Sequence, residues 1–381
     1  MKHSLMLLVC MAVLPSAGRF AAGAETSATG PASLFSVIAK GKSGYIDHTG
    51  AIVIAPQFQH VGEFRDGLAA VAVKGKSEGE WLLGFIDKTG TVVIAPRFQE
   101  AYDFCEGLAK VRDGRYGYID ATGKMVIAAR FDEAGSFSDG LAAVRSKDES
   151  QGRWGYIDRE GQAVIPAQFE EAAGFHEGLA AVKQAGKFGY IDKTGSLVIQ
   201  ANYALARDFS EGLACVRLEG EEDPPKFAYL DKTGKAVFEV RAYDPGDFRE
   251  GLAPVNTNVE FKVGKDNLPI IRGSWGYVDM SGTMVIKPQY AEAREFHEGL
   301  AAVNVGSVLQ GKWGFIDRSG KTVIKPQFST VDGFQAGLSR VYVGSRTKSR
   351  SSGHGGFGVT IELGTPGYID RTGRYVWKPQ Q

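Results

Sequence analysis

The chain has 381 residues, 43% hydrophobic and 23% charged, a composition that excludes a disordered polypeptide. Lys+Arg and Asp+Glu both number 44, so no global field favours nucleic acid or an acidic membrane surface. Three cysteines, Cys10, Cys105 and Cys215, are too few and too far apart for a disulfide scaffold.

The N-terminus reads as a processing segment. Lys2 and His3 give a basic start, and Leu5 to Leu14 form an apolar run too short to span a bilayer. Ala22-Gly23-Ala24 is an Ala-x-Ala cleavage site, so residues 1–24 are expected to be a signal peptide and 25–33 a linker. The mature chain is then expected to be periplasmic or secreted, without membrane insertion.

From residue 34 to 381 the chain is a single array of repeats. Gly-aromatic-(Ile/Val/Leu)-Asp-x-x-Gly recurs nine times, with Ala228 once in place of the leading glycine. The motif aspartates are Asp47, Asp87, Asp120, Asp158, Asp192, Asp231, Asp279, Asp317 and Asp370, a period that signals stacked structural units. One unit reads as three strands: Leu179 to Lys183 (strand a), Lys187 to Ile191 (strand b) and Ser196 to Ile199 (strand c). Asp192 and Gly195 suit a type I turn closed by a left-handed residue, with the carboxylate accepting backbone N–H bonds. A crossing segment then leads to a Phe-x-(Glu/Asp)-Gly-Leu corner. Ile-x-Pro at Ile54, Ile94, Ile286 and Ile324 places a proline where strand c is expected to end. Gly155, opposite Trp154 and Tyr156 across the pleat, leaves room for a neighbouring backbone or ring.

Leu34 to Lys40 reads as strand a of the first unit, and Tyr375 to Pro379 as strand c of the ninth. No strand remains to close a ring by pairing first with last, and propellers usually have about 4–8 blades of four strands. The expected fold is therefore all-β: about nine three-stranded antiparallel meanders in an open superhelical stack, with a propeller-like ring as the alternative.

Trp-Gly-Tyr-Ile-Asp at 154–158, Trp-Gly-Phe-Ile-Asp at 313–317, the Ile-x-Pro segments and the Phe-x-Glu-Gly-Leu-Ala corners resemble the bacterial WG (KWG) repeat family. The resemblance covers roughly Leu34 to Gln381. It implies a repeat scaffold and supplies no catalytic residues. Ser43, Leu83 and Pro366 depart from it by replacing the motif aromatic.

The chemical motifs give no catalytic, metal or cofactor site. A cation follows most motif aspartates, which disfavours calcium. The corner acids Asp66, Glu106, Asp139, Glu177, Glu211, Glu250 and Glu298 recur from unit to unit, unlike a catalytic pair. Ser77, in Gly-x-Ser-x-Gly, lacks the strand-to-helix context of a hydrolase elbow. His354-Gly355-Gly356 and the Gly353-x-Gly-x-x-Gly358 run lie in a polar insert that continues as a strand. His176 and His297 read as solvated corner residues. The long a–b loops differ most between units, and such insertions map to one face. The insert at 344–366, with Arg346, Lys348 and Arg350, is the first binding candidate. The expected function is an exported non-enzymatic scaffold for a protein or an envelope polysaccharide or peptidoglycan. The alternative is a lectin-like module using Trp154, Trp275 and Trp313, and a hydrolase is a remote third.

Overall fold

The structure is a computed structural model. It describes residues 33–378 apart from 76, 78, 151, 264–268, 309–310, 345, 352–356 and 363, without the side chains of 149–150, 259–263, 269–273, 346–351 and 357–362. The expected signal segment, Cys10 and His354 thus lie outside the described residues.

Nine small antiparallel sheets stand as blades of a ring, and a tenth, two-stranded sheet projects from the last blade. Seven blades are four-stranded; the first and seventh have three. The extra strand comes from the crossing segment. His60–Val61, for example, leaves strand c of the first blade and pairs with strand a of the second, Val61 against Val71. Each connection therefore belongs to two blades.

The corner after it is a tight hairpin. Arg65 and Leu68 exchange backbone hydrogen bonds of 2.9 and 3.0 Å, with Asp66 at φ 49° and Gly67 at φ 83°. Two positive φ values in sequence make a type I′ turn, whose twist matches the flanking strands and which favours Asp-Gly. The Asp-x-x-Gly turn has the expected form. Gly50 N–H bonds Asp47 C=O at 3.1 Å, and the Asp47 carboxylate accepts from Thr49 N, Thr49 Oγ1 and Ala51 N at 2.8, 2.6 and 3.1 Å.

Strand c does not end at the Ile-x-Pro proline: in the first blade it runs Ile52–Phe58, through Pro56. In the fourth blade it runs Ala163–Phe169, with Tyr156 opposite Ile165 and Trp154 opposite Phe169. Three residues of strand c, 166–168, thus lie against Gly155 alone on strand b. The surplus buckles over Gly155, where an added Cβ would lie 2.6 Å from Ile165 O and 2.8 Å from Ala167 N. The motif glycine is needed because its own blade's third strand covers it. Proline is tolerated in the buckle because that segment makes no ladder bond.

Neighbouring blades share their cores. The strand-b aromatic meets the next corner phenylalanine: Tyr156 and Phe175 lie 4.9 Å apart, edge to face. The Tyr156 hydroxyl donates to Ala173 O at 2.8 Å in the crossing segment. Six tyrosines, from Tyr45 to Tyr277, make this bond to a carbonyl 17 residues on. Burying the ring while satisfying its hydroxyl gives both apolar area and register.

The all-β array closes into the propeller-like ring given as the alternative, in place of the open stack expected first. Strand pairing is not the means. The ninth blade's Tyr368 hydroxyl donates to Ser36 O of the first blade at 2.9 Å, and Phe35 packs edge to face on the Tyr368 ring at 5.5 Å. Arg340 bridges Tyr368 Oη and Ser36 Oγ at 2.8 and 2.7 Å. Phe35, Val37, Ile46, Leu338 and Tyr368 form one buried cluster across this seam. Counting strands misled because side chains take over the work of a shared blade.

Candidate functional site

A meander alternates direction, so the blades sort their turns between two faces of the ring. One face carries the corners and the Asp-x-x-Gly turns. The other carries the a–b loops and the c-to-next-blade crossings.

The first face is internally committed. All nine motif aspartates bond their own turns. The hydroxyl of the Thr or Ser two residues on is the main cause holding Asp47, Asp87, Asp120, Asp192, Asp231, Asp279 and Asp317 below the usual carboxylate range. The corner acids reach forward instead. Asp66 accepts from Gly107 N at 2.9 Å, Glu106 from Gly140 N at 3.0 Å and Asp139 from Gly178 N at 2.7 Å. Glu177, Glu211, Glu250 and Glu298 continue the series to Gly212, Gly251, Gly299 and Gly337. This carboxylate belt links the second blade to the ninth. It stops at Ala336, where the ninth corner has no acid.

The expected aromatic ladder is packed. Trp313 is 5% exposed with the Arg294 guanidinium 4.5 Å over its ring. Trp154 and Trp275 are half-buried against core clusters, Trp154 under Arg145. His176 and His297 are half-buried rather than solvated; His176 Nε2 lies 3.5 Å from Asp208 Oδ2, and burial holds His297 below its ordinary range. Cys105 and Cys215 are free thiols on separate blades, and burial pushes Cys215 up to about 12, far from thiolate at neutral pH. Among the described residues no three His, Cys, Asp or Glu side chains gather as a metal set. Ser77 sits in a hairpin loop, its N–H held by Glu80 at 3.0 Å. No helix of the described residues is long and apolar enough to cross a membrane.

The second face is where blades differ. In the seventh blade, strands Leu252–Val263 and Pro269–Asp279 extend into a long hairpin. In the ninth, Arg346–Ser351 pairs with Phe357–Glu362 as a separate hairpin. The candidate residues Arg346, Lys348 and Arg350 thus lie on one strand at every second position, with their side chains outside what is described.

The same face holds a hollow of about 170 Å³ between the first two blades, lined in part by Lys42, Gln57, Gln59, Ala72, Lys74 and Trp81. Trp81 is 39% exposed and meets His60 edge to face at 6.2 Å. Sequence reasoning passed over it because it stands three residues before its motif glycine, whereas Trp154, Trp275 and Trp313 stand one before. That offset was the available signal: a tryptophan out of register is not part of the repeat's core.

The WG containing repeat matches residues 44–76, 84–114, 116–149, 154–188, 188–221, 275–308 and 313–346. The chain belongs to the WG repeat family. No curated protein matches this WG repeat chain in sequence. Among solved structures it is similar to a eukaryotic initiation factor, with 12% identity, 80% of this chain and 88% of the other covered, and a TM-score of 0.57. It also matches the Pyrococcus horikoshii acylaminoacyl peptidase, with 10% identity, 82% and 57% covered, and a TM-score of 0.36. At these identities the likeness concerns the WG repeat protein's fold alone.

Proposed function

We propose that the protein is an exported, non-enzymatic scaffold that holds a protein or an envelope polymer on its loop-bearing face. The observation that carries this reading is the division of labour between the faces. On one, the recurring acids are bonded to backbone and the blades are nearly identical. On the other, the blades diverge and two hairpins extend from them, the pattern of a repeat protein that displays its partner contacts on one side. The reading of export rests on the Ala22-Gly23-Ala24 segment.

The test is cross-linked capture from isolated envelopes with the chain from Glu25 onward and with a form whose 345–365 insert is replaced by a short turn. Weakened capture is expected. Unchanged capture would take this hairpin out of the site. Cell fractionation tests the location, where a cytoplasmic full-length chain would refute export. The hydrolase reading through Ser77 would require Ser77→Ala to abolish an ester-cleaving activity, and we expect no such activity.

A lectin-like second reading moves from the ladder to Trp81. The packing of Trp313 under Arg294 speaks against that ring as a sugar platform, while Trp81 offers an open ring beside polar side chains.

A further inference from the structure

We propose that the hollow between the first two blades is a subsite for a single carboxylate-bearing sugar ring, a hexuronic acid in chemical class. This deepens the scaffold reading, on which it rests only in using the same face.

The hollow exists because two repeat positions shrink side by side. In the third, fourth and fifth blades strand a carries a long cation, Arg112, Arg145 or Lys183, bonded to Glu100, Glu133 or Glu171. That cation lies over the strand-b aromatic Tyr116, Trp154 or Phe188. The second blade has Ala72 at the cation's position, opposite His60 where the others have the glutamate. The same blade has Leu83 at the aromatic's position, paired across from Ala72, and the first blade has Ser43 there. A cation, an acid and a ring are missing from one place, and Trp81 stands at its edge.

The charge there is also unbalanced. In the third and fourth blades the first cation of strand b faces an acid just after strand c, Arg115 to Asp132 at 3.9 Å and Arg153 to Glu170 at 3.5 Å. The first blade has Lys42 at the cation's place and Gln59 at the acid's. Among the described residues neither Lys42 nor Lys74 has a carboxylate partner. Two ammoniums therefore border one small hollow, whose lining also includes Phe58 and Val73 and holds no carboxylate.

A hexuronate fits each element. The C–H face of a pyranose lies against the negative face of an indole ring. Its carboxylate takes charge-assisted bonds from the ammoniums, and its hydroxyls exchange bonds with the amides of Gln57 and Gln59. The volume is below the about 300–1,000 Å³ of sites enclosing drug-sized ligands, so one ring is the natural occupant.

The experiment is calorimetric titration of the full mature chain with sodium glucuronate and with glucose, backed by saturation-transfer NMR. We expect saturable glucuronate binding about tenfold tighter than glucose, the worth of one charge-assisted bond. Ala72→Arg restores the residue type of the third blade; with an unchanged unfolding midpoint it should abolish binding. Lys42→Gln should erase the preference for glucuronate. Absence of saturable glucuronate binding, equal binding of both sugars, or full binding by Ala72→Arg would overturn the proposal. The insert-deleted chain separates the two readings. Lost envelope capture with glucuronate binding intact supports the subsite and the scaffold together. Intact envelope capture by a chain that does not bind glucuronate overturns the subsite alone.

Discussion

At the scale of single residues, the repeat is a set of backbone demands met by the few side chains that can meet them. Gly155 is covered by the buckled third strand of its own blade, so even a methyl group must displace backbone. Gly155→Ala is expected to cost about 3 kcal/mol in chemical denaturation, the upper range of overpacking. An unmoved midpoint would mean that the buckle can shift. Asp103, in the crossing strand before the third blade, has the opposite character to the motif aspartates. Burial first, and the neighbouring Glu63 carboxylate second, push it up to about 6. A carboxyl whose folded pKa is raised withdraws stability as pH climbs from its unfolded value near 3.8 to 6. Asp103→Asn should therefore gain in Tm over the native protein as pH rises across that window. A gain independent of pH would assign the effect to something other than ionisation. The depressed motif aspartates, Asp370 among them, act in the reverse sense, adding stability above the ordinary carboxylate range and losing it in acid.

At the scale of elements, each corner from Asp66 to Glu298 does two things at once. Its left-handed acid-glycine pair reverses the chain, and the acid's carboxylate binds the next corner's glycine N–H. Glu106→Ala removes the bond to Gly140 and is expected to cost about 1 kcal/mol, as for an ordinary hydrogen bond left to water. Hydrogen exchange at Gly140 should report the loss; unaltered protection there would show that the belt is ornamental. How much of this could be read from the sequence depended on range. The turns, the three strands and the all-β repeat were legible because Asp-x-x-Gly and two-residue alternation are local signals. The fourth strand was not, since His60–Val61 is two residues long and owes its pairing to the next blade. Proline in strand c was misread for a related reason: the buckle that excuses Pro56 is built over Gly44, on a different strand. Trp81 and its hollow were illegible because Ala72 and Gln59 are ordinary residues until the fold brings them to one lining.

At the scale of the whole molecule, eight blade interfaces share a connection, and one does not. The seam replaces the crossing segment with Arg340, Tyr368, Ser36 and Phe35. Arg340→Ala is expected to remove about 2–3 kcal/mol, the worth of hydrogen bonds to a charged group. Its signature should be local: faster amide exchange in the first and ninth blades with the fourth and fifth unchanged. Uniform acceleration would show that the ring opens everywhere at once. The seam also gives the ring a mechanical polarity. Tension across any other interface is carried along a covalent strand. Tension across this one falls on a few side-chain contacts that give way in succession, as a bracelet opens at its clasp. A partner that gripped both the first and ninth blades would act as a lock on that clasp.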